Sequence, residues 1–167
     1  MNNHPVIATL PRPVPVAVAL GSNLGNRAGM LHAALLSLTP LITIKATSSI
    51  HETEPWGLPD QPLYLNMAII GFTDIPPFHL LSAFKQIERD LGRTPNPVRN
   101  APRVIDIDLL LHGDTVLATT DLTLPHPHLH ERRFVLAPLA EIAPTWVHPT
   151  LQHTIAELLA ALPEDAC

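Results

Sequence analysis

The sequence predicts an α+β fold, an antiparallel sheet flanked by helices. Two observations predict it. Hydrophobic periodicity alternates along the chain between short strand-like runs and 3.6-residue helical stripes, in the order β-α-β-β-α-β followed by a mixed tail. Glycine and proline punctuate nearly every change of period. A length of 167 residues suits one domain with a core of useful size.

Each element follows from its residues. The Pro-rich stretch 1–15 is expected to be a flexible leader, with 16–167 forming a single domain. Val16 to Leu20 is a short apolar run that reads as a buried strand, and Gly21 to Asn26 as a turn with Asn23 near a helix N-cap. Met30, Leu31, Ala34, Leu35 and Leu38 recur at helical spacing until Pro40. Residues 41–51 alternate as a strand through Ile42, Ile44, Ala46 and Ser48. Residues 54–62 form a turn-rich loop, and 64–72 form the second strand of that pair. Pro76-Pro77 opens a helix with Phe78, Leu81, Phe84 and Leu91 on its apolar stripe, ended by Gly92. A proline-broken loop, 93–102, leads into a strand over 104–112. A short strand at 122–124 and helices over 133–139 and 151–162 complete the chain. This order is the ferredoxin-like βαββαβ arrangement with C-terminal additions.

Composition narrows the function. The net charge of −5 argues against a general nucleic-acid or anionic-membrane binder, and the apolar runs are too short to span a bilayer. The lone cysteine, Cys167, excludes an intramolecular disulfide and points to a cytoplasmic setting. Against this acidic background Lys85, Arg89, Arg93, Arg99 and Arg103 cluster, which suits a small anionic ligand.

The sharpest chemical signal is Val104-Ile-Asp-Ile-Asp-Leu-Leu-Leu111. Strand residues i and i+2 share a face about 6.6 Å apart, so Asp106 and Asp108 point the same way. A divalent cation resolves their repulsion, and Mg²⁺ favours a few carboxylates, waters and substrate phosphates. A bare pair of this kind also occurs on solvated strand faces and in Asp–Arg pairs. Arg93, Arg99 and Arg103 beside it add the charge that phosphoryl transfer requires. No GxxxxGK[ST] or kinase segment is present, and Gly21-Ser-Asn-Leu-Gly25 is a weak phosphate-loop signal. His126, His128 and His130 have period-two spacing, but prolines flank His126 and disfavour a zinc-binding strand. Tyr64 and Asn66 share a strand face, where a ring could stack while an amide reads its edge; Trp56 and Phe134 are further candidates for that pocket.

Four ordered segments resemble the 6-hydroxymethyl-7,8-dihydropterin pyrophosphokinase family. They are Ala19 to Gly25, Gln61 to Asn66, Pro102 to Leu109 and Leu124 to Phe134. The resemblance implies an Mg-ATP-dependent transfer of pyrophosphate to the pterin's hydroxymethyl oxygen, releasing AMP, in folate biosynthesis. It implies that Asp106 and Asp108 bind two Mg²⁺, and that Arg93 and Arg103 stabilise the transferring group. Glu88, Arg99, His126 and Arg132 are then expected at ATP, and Thr53, Trp56, Tyr64, Asn66 and Phe134 at the pterin. A monomer acting on these two small molecules is expected. Many members carry an aromatic residue where this chain has Asn100, and some carry a second loop arginine where it has Pro95.

Overall fold

The computed structural model describes residues 10–164. Its strands are β1 (Val14–Ser22), β2 (Thr43–Thr47), β3 (His51–Thr53), β4 (Tyr64–Thr73), β5 (Asp106–His112), β6 (Leu117–Ala118) and β7 (Thr123–Leu124). Its α-helices are α1 (Arg27–Leu38), α2 (Pro77–Asp90), α3 (Arg133–Ile142) and α4 (Ile155–Ala161). The main sheet runs β2-β4-β1-β5, with β3 extending the β2 edge against β4, and every pairing is antiparallel. This is the expected βαββαβ topology.

The period of two on β1 builds two different layers. Val16, Val18 and Leu20 face α1 and α2, in a core with Leu31, Leu38, Ile69, Leu80, Phe84 and Ile107. Burying side chains of this size is worth roughly 1.5–3 kcal/mol each. Ala17 faces the other way, into a second core with Ala68, Ile70, Leu110, Leu136, Leu139 and Ile155. The helices α3 and α4 therefore cover the second face of the sheet, a layer the βαββαβ pattern does not contain.

Several local expectations change. Asn26, not Asn23, caps α1, accepting from the Gly29 N–H at 3.1 Å. The expected strand over 41–51 is two strands, because the chain bulges between Ile44 and Ala46 and breaks after Thr47. On α2 the buried stripe is Leu80, Phe84 and Glu88, while Phe78 in the first turn is 46% exposed. The last helix begins at Ile155, where Thr154 and Glu157 form a reciprocal capping box. Residues 1–9 of the expected leader lie outside the described residues. Its last two, Val14 and Pro15, already belong to β1, opposite Thr73 and Phe72.

Candidate active site

The site occupies the part of the second sheet face that α3 leaves open. On β1 that face carries only Ala19 and Gly21, which form a low floor. Gly21 sits opposite Asn66 and Asp106 on its two neighbouring strands. A Cβ there would lie 3.1 Å from Asn66 Oδ1, so a larger residue would push into the amide. The strands β4 and β5 raise Tyr64, Asn66, Asp106 and Asp108 around this floor, and the loops after β3 and α2 close its sides. The result is a cavity of about 300 Å³.

One wall is a charge network. Arg93 donates to Asp106 Oδ1 at 2.6 Å, and Arg103 donates to Asp106 Oδ2 at 3.1 Å. Glu88 stands behind them, with its side chain 3% exposed. It pairs with Arg93 at 2.7 Å and Lys85 at 3.2 Å, and accepts the Ile107 N–H at 2.8 Å. Ile107 lies between the two aspartates, so Glu88 anchors both the arginine and the acid-bearing strand. Burial alone would raise the Asp106 pKa, but Arg103, Arg93 and Lys85 together hold it below the ordinary carboxylate value. Asp108 differs. It has neither arginine as an ion-pair partner, and burial, with the Asp106 charge added, pushes its pKa up to about 7.

The opposite wall is aromatic and amide-bearing. Asn66 donates to Thr53 Oγ1 at 2.7 Å across β3 and β4, leaving its carbonyl oxygen towards Gly21. The Arg132 guanidinium lies 4.4 Å from the Trp56 ring centre and 5.8 Å from that of Phe134. Its Nε is buried without a hydrogen-bond partner, and burial lowers its pKa.

His126 sits beside β5, on a segment whose N–H still pairs with Leu110 O at 2.9 Å despite the flanking prolines. Burial first, then the charges of Arg132 and His128, lower its pKa to about 4, while Asp106 opposes them. The folded state therefore disfavours its protonation. Stability is fully present above the ordinary histidine value near 6.5 and falls as pH drops from there towards 4. His126→Gln should flatten this part of the stability–pH curve, by up to about 3 kcal/mol at its acid end. Urea unfolding of both proteins between pH 7 and pH 4 checks this; parallel curves would refute it.

Eleven of the residues expected at the metal, ATP or pterin line this one cavity: Thr53, Trp56, Tyr64, Asn66, Arg93, Arg103, Asp106, Asp108, His126, Arg132 and Phe134. Glu88 and Arg99 do not. Glu88 is buried behind the arginines, and Arg99 is exposed on the loop after α2. Lys85, read in the sequence only as part of the basic cluster, also lines the cavity and pairs with Glu88 three residues on along the helix. His128 bonds Glu131 at 2.8 Å, and among the described residues no group of three or more His, Cys, Asp or Glu is placed to hold an ion.

A ferredoxin-like sheet carrying acids and arginines beside an aromatic and amide slot has the features of a phosphoryl-transfer enzyme for a flat acceptor. The family model for 7,8-dihydro-6-hydroxymethylpterin-pyrophosphokinase matches residues 17–144. The chain belongs to this family, whose activity is pyrophosphoryl transfer in folate synthesis. It is 48% identical over 127 residues to the 2-amino-4-hydroxy-6-hydroxymethyldihydropteridine pyrophosphokinase of Bacillus subtilis, a match covering 75% of each chain. It is 40% identical over 148 residues to a folic acid synthesis protein of Dictyostelium discoideum, covering 89% of this chain but 22% of that longer one. Among solved structures, the wild-type HPPK-DHPS protein of Plasmodium falciparum shares the fold, with a TM-score of 0.72 at 16% identity. That match covers 89% of this chain and 44% of the other. Among the described residues no helix is long and apolar enough to cross a membrane.

Proposed function

We propose that this cavity transfers the β,γ-pyrophosphoryl group of ATP to 6-hydroxymethyl-7,8-dihydropterin. The hydroxymethyl oxygen forms a bond to the β-phosphorus and loses its proton, and the bond to AMP breaks. The observation that carries the reading is the meeting in one cavity of the Asp106–Arg93–Arg103 network, the free Asp108 carboxylate and the Tyr64–Asn66–Thr53 wall.

The residues suit Mg²⁺. Asp106 and Asp108 share a strand face, and the upward shift of Asp108 is the electrostatic conflict that a divalent cation removes. In this reading Asp106 and Asp108 would hold two Mg²⁺, which would supply positive charge against the phosphates. Arg93 and Arg103 present guanidiniums with donors to spare for the phosphates. His126 and Arg132 contact ATP from the other side, with Arg99 able to approach it from the loop. Glu88, rather than touching ATP, keeps Arg93 in place. Tyr64 and Phe134 stack on the pterin, Thr53 and Asn66 read its polar edge, and Trp56 adds a further ring. The enzyme acts as a monomeric domain whose first strand begins at Val14. Its single cysteine supports a cytoplasmic setting.

Incubation with Mg-ATP, with and without the hydroxymethyl-dihydropterin, tests the reaction. AMP should appear only with the pterin. Release of ADP and phosphate without it would replace the proposal with a phosphohydrolase.

Residues 94–99 are all exposed and have little apolar surface to pack. A triphosphate supplies the counter-charge this loop lacks. Mg-ATP should therefore order it and improve the pterin site. Calorimetry should show tighter pterin binding in the presence of a non-hydrolysable Mg-ATP analogue; equal affinities would refute the coupling.

A further inference from the structure

Two loops wall the cavity, residues 54–63 before β4 and residues 93–105 before β5, and both are tied to the end of β1 through one buried side chain. Asn23 is 1% exposed. Its Oδ1 accepts the Arg103 N–H at 2.8 Å, and its own N–H donates to Arg103 O at 3.1 Å. The same amide donates through Nδ2 to Gln61 Oε1 at 3.1 Å and to Pro62 O at 3.2 Å. Gln61 passes the connection on: its Nε2 donates to Leu58 O at 2.9 Å and to Asn100 O at 2.8 Å. The contact is close. Gly57, at φ 90°, has no Cβ, and one placed there would lie 2.5 Å from Asn100 Nδ2. Asn100 itself holds φ 59°, a left-handed conformation that asparagine tolerates.

We propose that Asn23 and Gln61 form a latch that fixes Arg103 relative to the Trp56-bearing loop, making both of them positioning residues for the transfer reaction. This rests on the function proposed above. The two ends of the Asn23 amide serve different ends of the site. Its oxygen holds the backbone from which the Arg103 guanidinium projects, whereas its nitrogen, through Gln61, holds the loop that carries Trp56. Asn100 thereby has a role as the point where the two loops lock together. The Asn23 turn that follows the end of β1 at Ser22 thus acts as a staple between loops.

The two ends can be separated by substitution. Displacing a group by an ångström from a distant mutation can cost as much as about 10²-fold in rate. Asn23→Ala should therefore lower kcat by about tenfold or more and also raise the pterin KM. Asn23→Asp keeps the acceptor for the Arg103 N–H but loses the donor to Gln61. It should recover most of kcat while the pterin KM stays high. Gln61→Ala and Gln61→Glu should both raise the pterin KM with a smaller effect on kcat, since both lose the donor to Asn100 O. In the Asn23→Ala background, Gln61→Ala should add little.

A purely structural staple would lower the melting temperature and leave kcat and KM, measured well below it, at wild-type values; that result overturns the proposal. So does a double variant whose losses simply multiply. If Asn23→Ala does not fold, the Gln61 pair decides: an unchanged pterin KM in both refutes the latch. Wild-type protein that forms no pterin-dependent AMP would defeat the functional reading, whereas active wild type with unaffected variants would defeat the latch alone.

Discussion

Asp108→Asn is expected to abolish turnover and to raise the melting temperature of the metal-free protein, whereas Asp106→Asn should abolish turnover and lower it. In the proposed reaction each variant loses a carboxylate that would hold the cation, so activity falls in both. Their stabilities diverge because their surroundings do. Arg93 and Arg103 both bond Asp106, and its pKa is held below the ordinary value. Replacing it leaves the partly buried Arg103 guanidinium without its anion and Arg93 with Glu88 alone, at a cost of about 1–3 kcal/mol. Asp108 has no arginine of its own, and its pKa stands at about 7.

A carboxyl whose folded pKa lies above its unfolded one contributes stability below the unfolded value, which is lost as pH rises through the folded value. At pH 8 the ionised Asp108 therefore opposes folding. Removing that charge should gain on the order of 2–4 kcal/mol, or roughly 5–10 °C in a domain of this size. The gain should shrink at pH 5. Thermal melts of both variants without divalent cation, at pH 8 and pH 5, check the pair of signs. Melting shifts of the same sign in both variants would contradict the charge arrangement, and retained activity in both would remove them from the metal site.

Arg103→Ala should lower kcat by about 10²-fold or more while weakening nucleotide binding much less. The structure supplies the reason. The Arg103 backbone is bonded at both its N–H and its carbonyl by Asn23, its Nε donates to Ala101 O at 3.2 Å, and its NH1 holds Asp106. The guanidinium is thus fixed before substrate arrives. A fixed donor stabilises the charge that develops on the phosphoryl oxygens as the bond to AMP breaks, more than it stabilises bound ATP. Arg103→Lys should recover only part of the rate, because an ammonium bonds Asp106 and a phosphate as a point charge rather than through a planar fork. Steady-state kinetics with both substrates check this. A raised KM for ATP at unchanged kcat would reduce Arg103 to uniform binding.

By itself the sequence determined the strand–helix order and the side of β5 on which the acids lie. Both are properties of local period: residues two apart on a strand share a face whatever packs against it. It also determined the ring and amide pair Tyr64 and Asn66, for the same reason. The tertiary structure decided what local period cannot carry. The face covered by α3 and α4 depends on which residues meet from distant segments, and only that coverage leaves Gly21 and Ala19 as the floor of a cavity. The resemblance implied Glu88 at ATP; in the fold it is an internal anchor, because α2 packs it beneath the Ile107 N–H, nineteen residues away. Asn23 reads as a helix cap, yet the cap is Asn26, and the Asn23 side chain reaches Arg103 eighty residues on. Hydrogen bonds across such separations have no period and no spacing, so they exist only once the chain has folded. The unequal pKa values of Asp106 and Asp108 arise in the same way: two identical residues on one strand differ because both arginines converge on only one of them.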